Sequence, residues 1–404
     1  MMVAQPFNKK YQLTPGVFMH LLRVQVPDFR GLKNIDITFE KDFVPKIFPL
    51  GSQNGGGKST LLQLIFVLLH CSVDDDKKRF LENLLQGFKI LDEEEKILAI
   101  IDIWDGEKIV KLEFYCKNFS FLEGAAPLEY EFEHEYKNSE NMIICYVEKF
   151  RKEISHDDTI ITITVLNCHV NNQKKEQAKF FLDKVSRKTF LAAPSTQIFL
   201  FLPPDSRKLL FGHSSNGDKN YYAILESARS ELNGLFTYDF LAVELLIESF
   251  KAARDRDFRE AIKTGNYGNS YQSLIKELNL LLGNKRINVN EDLSGVNFQL
   301  YNNGETIELY PEDLSHGELK RLSIYIWLKS RHIEDAIVLM DEVEIAFHPD
   351  WQYQIISDLQ EWAPSNQYIL ATHSYALCEA LTPAHVKEIE PKLIKQESNI
   401  TNES

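Results

Sequence analysis

Residues 51–60 read GSQNGGGKST, with the apolar IFPL in front of them and LLQLIFVLLH behind. Glycines let successive backbone N–H groups converge on one anion, and a helix that starts there adds its positive end. The residue types and their order are those of a phosphate cradle. Asn54, Gly55, Gly56 and Gly57 form the cradle, Lys58 spans the β and γ oxygens of a triphosphate, and Ser59 offers a hydroxyl to Mg²⁺, with Thr60 beside it. The first position of the usual G-x-x-x-x-G-K-[ST] spacing falls on Ser52, with Gly51 one residue earlier. That is a departure, which the tight turn at 54–57 keeps small.

A second group of residues is AIVLMDEVE (336–344), a buried strand that ends in two carboxylates. Asp341 is suited to a Mg²⁺ shell, and Glu342 to polarising an attacking water. Carboxylates at a strand end are often only a solvated terminus; a P-loop in the same chain favours the functional reading. SHGE (315–318) reads as a capping box, with Ser315 at the N-cap and Glu318 at N3. The helix end it caps is itself an anion site.

These groups need elements to hold them. Alternating stretches at 21–26 and 35–39, around a turn at 30–33, predict an antiparallel pair, and 44–50 a strand that leads into the glycine loop. A buried helix is expected from Thr60 to about Cys71, and a short helix in FLENLLQGFKIL, with the acidic runs DDDKK and DEEEK as solvated turns. ILAIIDIW, Asp105-Gly106 and EKIVKLEFYC predict a hairpin with a type I′ turn. TIITITVLNCHV (159–170) is another strand, followed by a lysine-rich turn. Helices are expected over about 221–282, a hairpin with its turn at 302–304, then helix, strand, helix, strand and helix from 314 onward. The predicted fold is α/β: a mixed α/β core carrying the P-loop, with an antiparallel β layer and a helical insertion. The expected division is 1–215 and 291–395 for the two halves of a head, 216–290 for the insertion and 396–404 for a disordered tail.

Composition narrows the class. The chain has 404 residues, 44% apolar and 26% charged, and its net charge of −14 argues against general coating of polyanions. Five cysteines without CxxC spacing read as reduced, mostly buried thiols, with neither zinc nor disulfides expected. The start, MMVAQPFNKKYQLTPG, lacks a signal-peptide pattern, and no apolar run approaches the roughly 20 residues that cross a bilayer. A cytoplasmic protein is expected, and a transport role would need a separate membrane subunit. No internal repeat or useful heptad run is present.

LSHGE (314–318) resembles the LSGGQ signature of the ABC ATPase superfamily, with His316 replacing the first glycine. DEVEIAFHPDWQ resembles the DEPExxLHP pattern, with Val343 where proline is usual, and His348-Pro349 falls at the loop that faces a partner subunit in that family. QYILATHS resembles the strand that delivers a switch histidine, here His373, to the γ-phosphate. By the same resemblance Gln197, in LAAPSTQIF, is the candidate sensor of Mg²⁺ and nucleotide, its alternative being a surface turn. Arg30, in PDFRGLKN, resembles the turn of SMC- and RecF-like ATPases whose arginine reaches the nucleotide, its alternative being an exposed turn.

The resemblance implies ATP and Mg²⁺ as cofactors and a homodimer that sandwiches ATP. Lys58, Ser59, Asp341 and Glu342 of one copy would face Ser315 and Gly317 of the other, with Glu342, His373 and Lys58 catalytic. Within the superfamily, FPLGSQNGGGKSTLLQLIF, STQIFLFLPP and DEVEIAFHPDWQ resemble most the PtuA-type ATPases of Septu and retron-linked anti-phage systems. That resemblance implies a separate, PtuB-like HNH nuclease as partner, with a retron reverse transcriptase and its msDNA as further candidates. A RecF- or SMC-like DNA-repair ATPase and the ATP-binding subunit of an ABC transporter are the alternatives. Lys251, Arg254, Arg256, Arg259 and Lys263 alternate with carboxylates, which reads as a solvated helix face ahead of a nucleic-acid strip.

Overall fold

Apolar runs without polar alternation need cover on both faces, and IFPLG, IVLMD and QYILA find it at the centre of the molecule. The computed structural model describes residues 19–52, 55–86, 88, 90, 95–122, 142–153, 159–171, 173–211, 220–238, 243–302 and 305–389. The first strands are β1 (His20–Phe29), β2 (Leu32–Thr38), β3 (Ile47–Gly51), β4 (Glu95–Trp104), β5 (Ile109–Leu122), β6 (Met142–Glu153), β7 (Thr159–Val170), β8 (Thr189–Ala193) and β9 (Leu235–Thr237). The later ones are β10 (Lys285–Val289), β11 (Val296–Asn302), β12 (Glu305–Leu309), β13 (Ile337–Asp341), β14 (Gln367–Ala371) and β15 (Lys387–Glu388). The helices are α1 (Lys58–Cys71), α2 (Lys78–Leu85), α3 (Lys175–Ser186), α4 (Tyr221–Glu231), α5 (Val243–Thr264), α6 (Ser270–Leu282), α7 (His316–Ser330), α8 (Pro349–Trp362) and α9 (Tyr375–Glu379).

The central sheet runs β15-β3-β14-β13-β8-β9, and every pairing in it is parallel. Successive residues of β13 serve opposite faces: Ile337 and Leu339 join one apolar cluster, Val338 and Met340 the other. An antiparallel sheet, β2-β1-β4-β5-β7-β6, forms a second layer. Helix α1 lies between the layers. It is buried all round from Leu61 to Cys71, and its cluster takes Val24, Ile101 and Phe114 from one sheet and Leu339 and Ile369 from the other. Gln367, at the start of β14, joins the layers directly: its amide accepts from Leu21 N (2.7 Å) and donates to Leu21 O (2.8 Å). The expected α/β core with an antiparallel layer is the observed architecture.

Local expectations met different outcomes. The lysine-rich stretch expected as a turn is helix α3, whose Ala178, Phe181, Leu182 and Val185 form a buried stripe beneath the lysines. The Asp105-Gly106 hairpin exists, but not as a type I′ turn. Gly106 alone takes a positive φ, 106°, and Asp105 Oδ1 accepts from the amides of Glu107 and Lys108. Within 216–290, helices α4, α5 and α6 are joined by β9, which pairs with β8 at the edge of the central sheet. The 303–304 tip of the β11–β12 turn, most of the DEEEK run and the tail from 390 lie outside the described residues. All five cysteines are free, four of them buried. No helix among the described residues is long and apolar enough to cross a membrane.

Candidate nucleotide site

The end of β3 and the start of α1 form the glycine loop. Gly55 and Gly57 take φ of +83° and +86°, which β-carbon-bearing residues rarely adopt. At Gly57 a Cβ would also meet Leu32 Cδ2 at 2.5 Å, so the β1–β2 turn packs directly against the cradle. Gly56 stands between them, and Asn54 lies outside the described residues. Lys58 and Ser59 open α1, with Thr60 in the same turn. Lys58 Nζ donates to Ser52 O (3.1 Å) and Ser52 Oγ (2.9 Å), so the serine in the first loop position supplies two acceptors to the lysine.

Parallel pairing of β3, β14 and β13 brings distant residues to the same sheet end. Ser59 Oγ donates to Asp341 Oδ1 at 3.0 Å, and Lys58 Nζ lies 3.5 Å from His373 Nδ1. Asp341 is buried, and its Oδ2 has no hydrogen-bond partner among the described residues. Burial, then the charges of Glu342 and Glu344, push its pKa up to about 7 against the pull of Ser59 and Lys58. A hydroxyl and a buried, under-compensated carboxylate are hard oxygen donors and fit Mg²⁺. Among the described residues no group of three or more His, Cys, Asp and Glu side chains is placed to hold a metal. Glu342 follows at φ 49°, half-buried, and its pKa is raised by burial and next by Glu344. A raised carboxylate is a better proton acceptor. His373 is exposed at the tip of β14.

Arg30, Gln197 and Ser315 make their hydrogen bonds outside this cluster. Arg30 sits in the β1–β2 turn at φ 53°, but its guanidinium donates to the carbonyls of Leu84 and Gln86 (both 3.2 Å), where α2 ends. Gln197 ends the short turn Ser195–Gln197 beyond β8. Its carbonyl accepts from Gln63 of α1 (2.8 Å), and its side chain makes no hydrogen bond to Ser59 or Asp341 among the described residues. Ser315 caps α7: its Oγ accepts from Glu318 N (3.3 Å), while Glu318 accepts from Ser315 N (2.9 Å). The predicted capping box is present. Ser315 is exposed and Gly317 is buried against Ala346 and Trp351.

Three residues near the site were not singled out by sequence. Glu344 is buried, and its Oε1 accepts from His373 N at 2.7 Å, tying the β13 loop to the β14 loop. Its signal is the third carboxylate in DEVE. Gln63, a buried amide inside an apolar helix, accepts from Phe199 N and Leu200 N and so holds the Gln197 segment. Lys320 is buried on α7, with Nζ on the carbonyls of Glu342 (2.8 Å) and Ile345 (3.2 Å).

Residues 213–379 match the family described as "AAA domain, putative AbiEii toxin, Type IV TA system". The match spans Ser315, Asp341, Glu342 and His373. The chain is an ATPase with a parallel central sheet and an antiparallel second layer. It is 23% identical over 429 residues, 94% of this chain and 76% of the other, to the retron Vc95 probable ATPase of Vibrio cholerae serotype O1 biovar El Tor. Among solved structures, the ATPase is similar to the SMC head domain from Thermotoga maritima (9% identity, 89% of this chain and 91% of that one, TM-score 0.41). It is also similar to an Smc head bound to the C-winged helix domain of ScpA (11%, 90% and 92%, TM-score 0.37).

Proposed function

We propose that this ATPase is a nucleotide-gated head that pairs with a second copy around ATP and thereby regulates a partner nuclease in an anti-phage system of the Septu or retron type. The observation that carries the pairing is a division of the machinery. Lys58, Ser59, Asp341, Glu342 and His373 gather at one sheet end, whereas the exposed Ser315 is bonded within its own helix turn. Ser315 is thus presented at the positive end of a helix, which a phosphate from elsewhere can approach. The likeness to a retron ATPase supports the biological branch.

In this reading the P-loop amides and Lys58 bind the β and γ phosphates, and Ser59 and Asp341 hold Mg²⁺. The bound ion neutralises phosphate charge. Glu342 takes a proton from the attacking water, and His373 orients the γ-phosphate, giving ADP and inorganic phosphate. The two nucleotides hold the heads together, and hydrolysis releases them. Glu342→Gln should bind ATP, lose turnover by about 10²- to 10⁴-fold, and accumulate as a dimer in sedimentation velocity with ATP and Mg²⁺. A monomer under those conditions removes the pairing. Co-purification of the native complex tests the nuclease: an HNH protein should elute with the ATPase, and its absence removes that partner.

A further inference from the structure

Helix α7 grips the loop after β13 at two points. Lys320, in its second turn, is buried and donates to the carbonyls of Glu342 and Ile345, with Nζ 4.1 Å from the centre of the Tyr238 ring and 5.6 Å from that of Phe347. Gly317, one turn nearer the helix start, approaches the same loop so closely that a Cβ there would lie 2.7 Å from Ala346 O. Between these grips the backbone is left-handed twice at residues other than glycine, Glu342 at φ 49° and Ala346 at φ 71°. Such residues keep that conformation only when their surroundings hold them in it.

We infer that Lys320 is a positioning residue: it holds the Glu342 backbone in its left-handed turn and so ties the Ser315 end of α7 to the carboxylate of the chain's own site. The second half of this inference rests on the paired-head reading above. In a pair, Ser315 meets the partner's nucleotide while Glu342 serves its own, so Lys320 makes occupancy of one site felt at the other. Removing the ammonium takes one donor from each of two carbonyls and leaves the Glu342 turn held by Ile345 N on Glu342 O (3.2 Å) and by Glu342 N on Ala371 O (2.8 Å), so that Glu342 can shift, whereas Lys58, Ser59 and the glycine loop are untouched.

The test compares Lys320→Met and Lys320→Arg in the full chain, reading ATP affinity with a fluorescent nucleotide, steady-state kcat, and the Hill coefficient for ATP. Expected for Lys320→Met are ATP affinity within about twofold of the parent, kcat lower by about 10- to 100-fold, and a Hill coefficient near one. Lys320→Arg, which keeps a cationic donor, should recover most of the loss. An unchanged kcat, or a loss confined to ATP affinity, overturns the assignment. Should Lys320→Met fail to fold, Lys320→Gln, which keeps an N–H donor, is read by the same criteria. Pairing is read separately with Glu342→Gln. If that variant stays monomeric while kcat still depends on Lys320, the paired-head reading and the coupling fall and the positioning role stands. If it pairs and Lys320→Met keeps the parent's Hill coefficient, the coupling alone is overturned.

Discussion

Glu342 joins two features, a half-buried carboxylate at the end of β13 beside Asp341 and a backbone at φ 49° that L-residues rarely adopt. The neighbours that hold it are residues with no chemistry of their own. Lys320 and Ala371 hold its backbone, and nearby Glu344 bonds the backbone N–H of His373 as the third carboxylate of the cluster. Glu344→Ala removes the acceptor and leaves a part-buried N–H unpaired, a loss of about 1–3 kcal/mol. Steady-state hydrolysis should fall by roughly tenfold or more. Glu344→Gln keeps an oxygen at that position and should recover part of the rate. Equal rates in the parent and Glu344→Ala would show that the His373 loop holds itself.

At the scale of elements, α7 is tied to three neighbouring segments by buried and part-buried polar contacts. Lys285 pairs with Glu318 at 2.5 Å, Tyr325 donates to Glu277 of α6, and Arg321 forms a two-pronged pair with Asp358 of α8 at 2.6 and 2.8 Å. Only 13% and 9% of the Arg321 and Asp358 side chains are exposed, so removing one partner strands a buried charge. Arg321→Ala should cost about 3–5 kcal/mol in urea unfolding. Arg321→Met combined with Asp358→Leu should lie much nearer the parent, because both charges leave together. If the single and double variants were equally stable, the pair would not anchor α7.

At the scale of the whole molecule, two sheets share one buried helix, and stability depends on what α1 carries into the gap. His70 is one such group. Its Nδ1–H donates to Ser186 O (2.8 Å), its ring stacks on Phe66, and burial pushes its pKa down to about 4. In the unfolded chain the value is about 6.5. Below pH 6.5 the unfolded chain therefore takes a proton that the folded one refuses, and stability falls until about pH 4. Above pH 7 the group contributes no slope. The urea midpoint should drop as pH falls from 6.5 to 4.5, with His70 contributing up to about 1.4 kcal/mol per pH unit. His70→Gln should flatten that slope by about one proton, and an unchanged slope would assign the acid sensitivity to other groups.

The glycine loop, the DE pair after its strand, the Ser315 capping box and the strand ending at His373 were all legible in the sequence, because each is a contiguous run whose local chemistry names its element. Apolar runs without alternation likewise marked β13 and its neighbours as buried strands of an α/β core, while their parallel pairing came from the structure. The β9 edge strand was hidden by the helical periodicity around it, and α3 by lysines that mask a buried stripe. Arg30 and Gln197 carried the right local words, yet the first binds the end of α2 and the second offers only its carbonyl to α1. The meetings of Lys58 with His373, Ser59 with Asp341 and Lys320 with Glu342 were decided by tertiary structure alone. Local pattern specifies what an element is, whereas which elements become neighbours depends on how all their apolar faces are covered together, and no short stretch contains that sum.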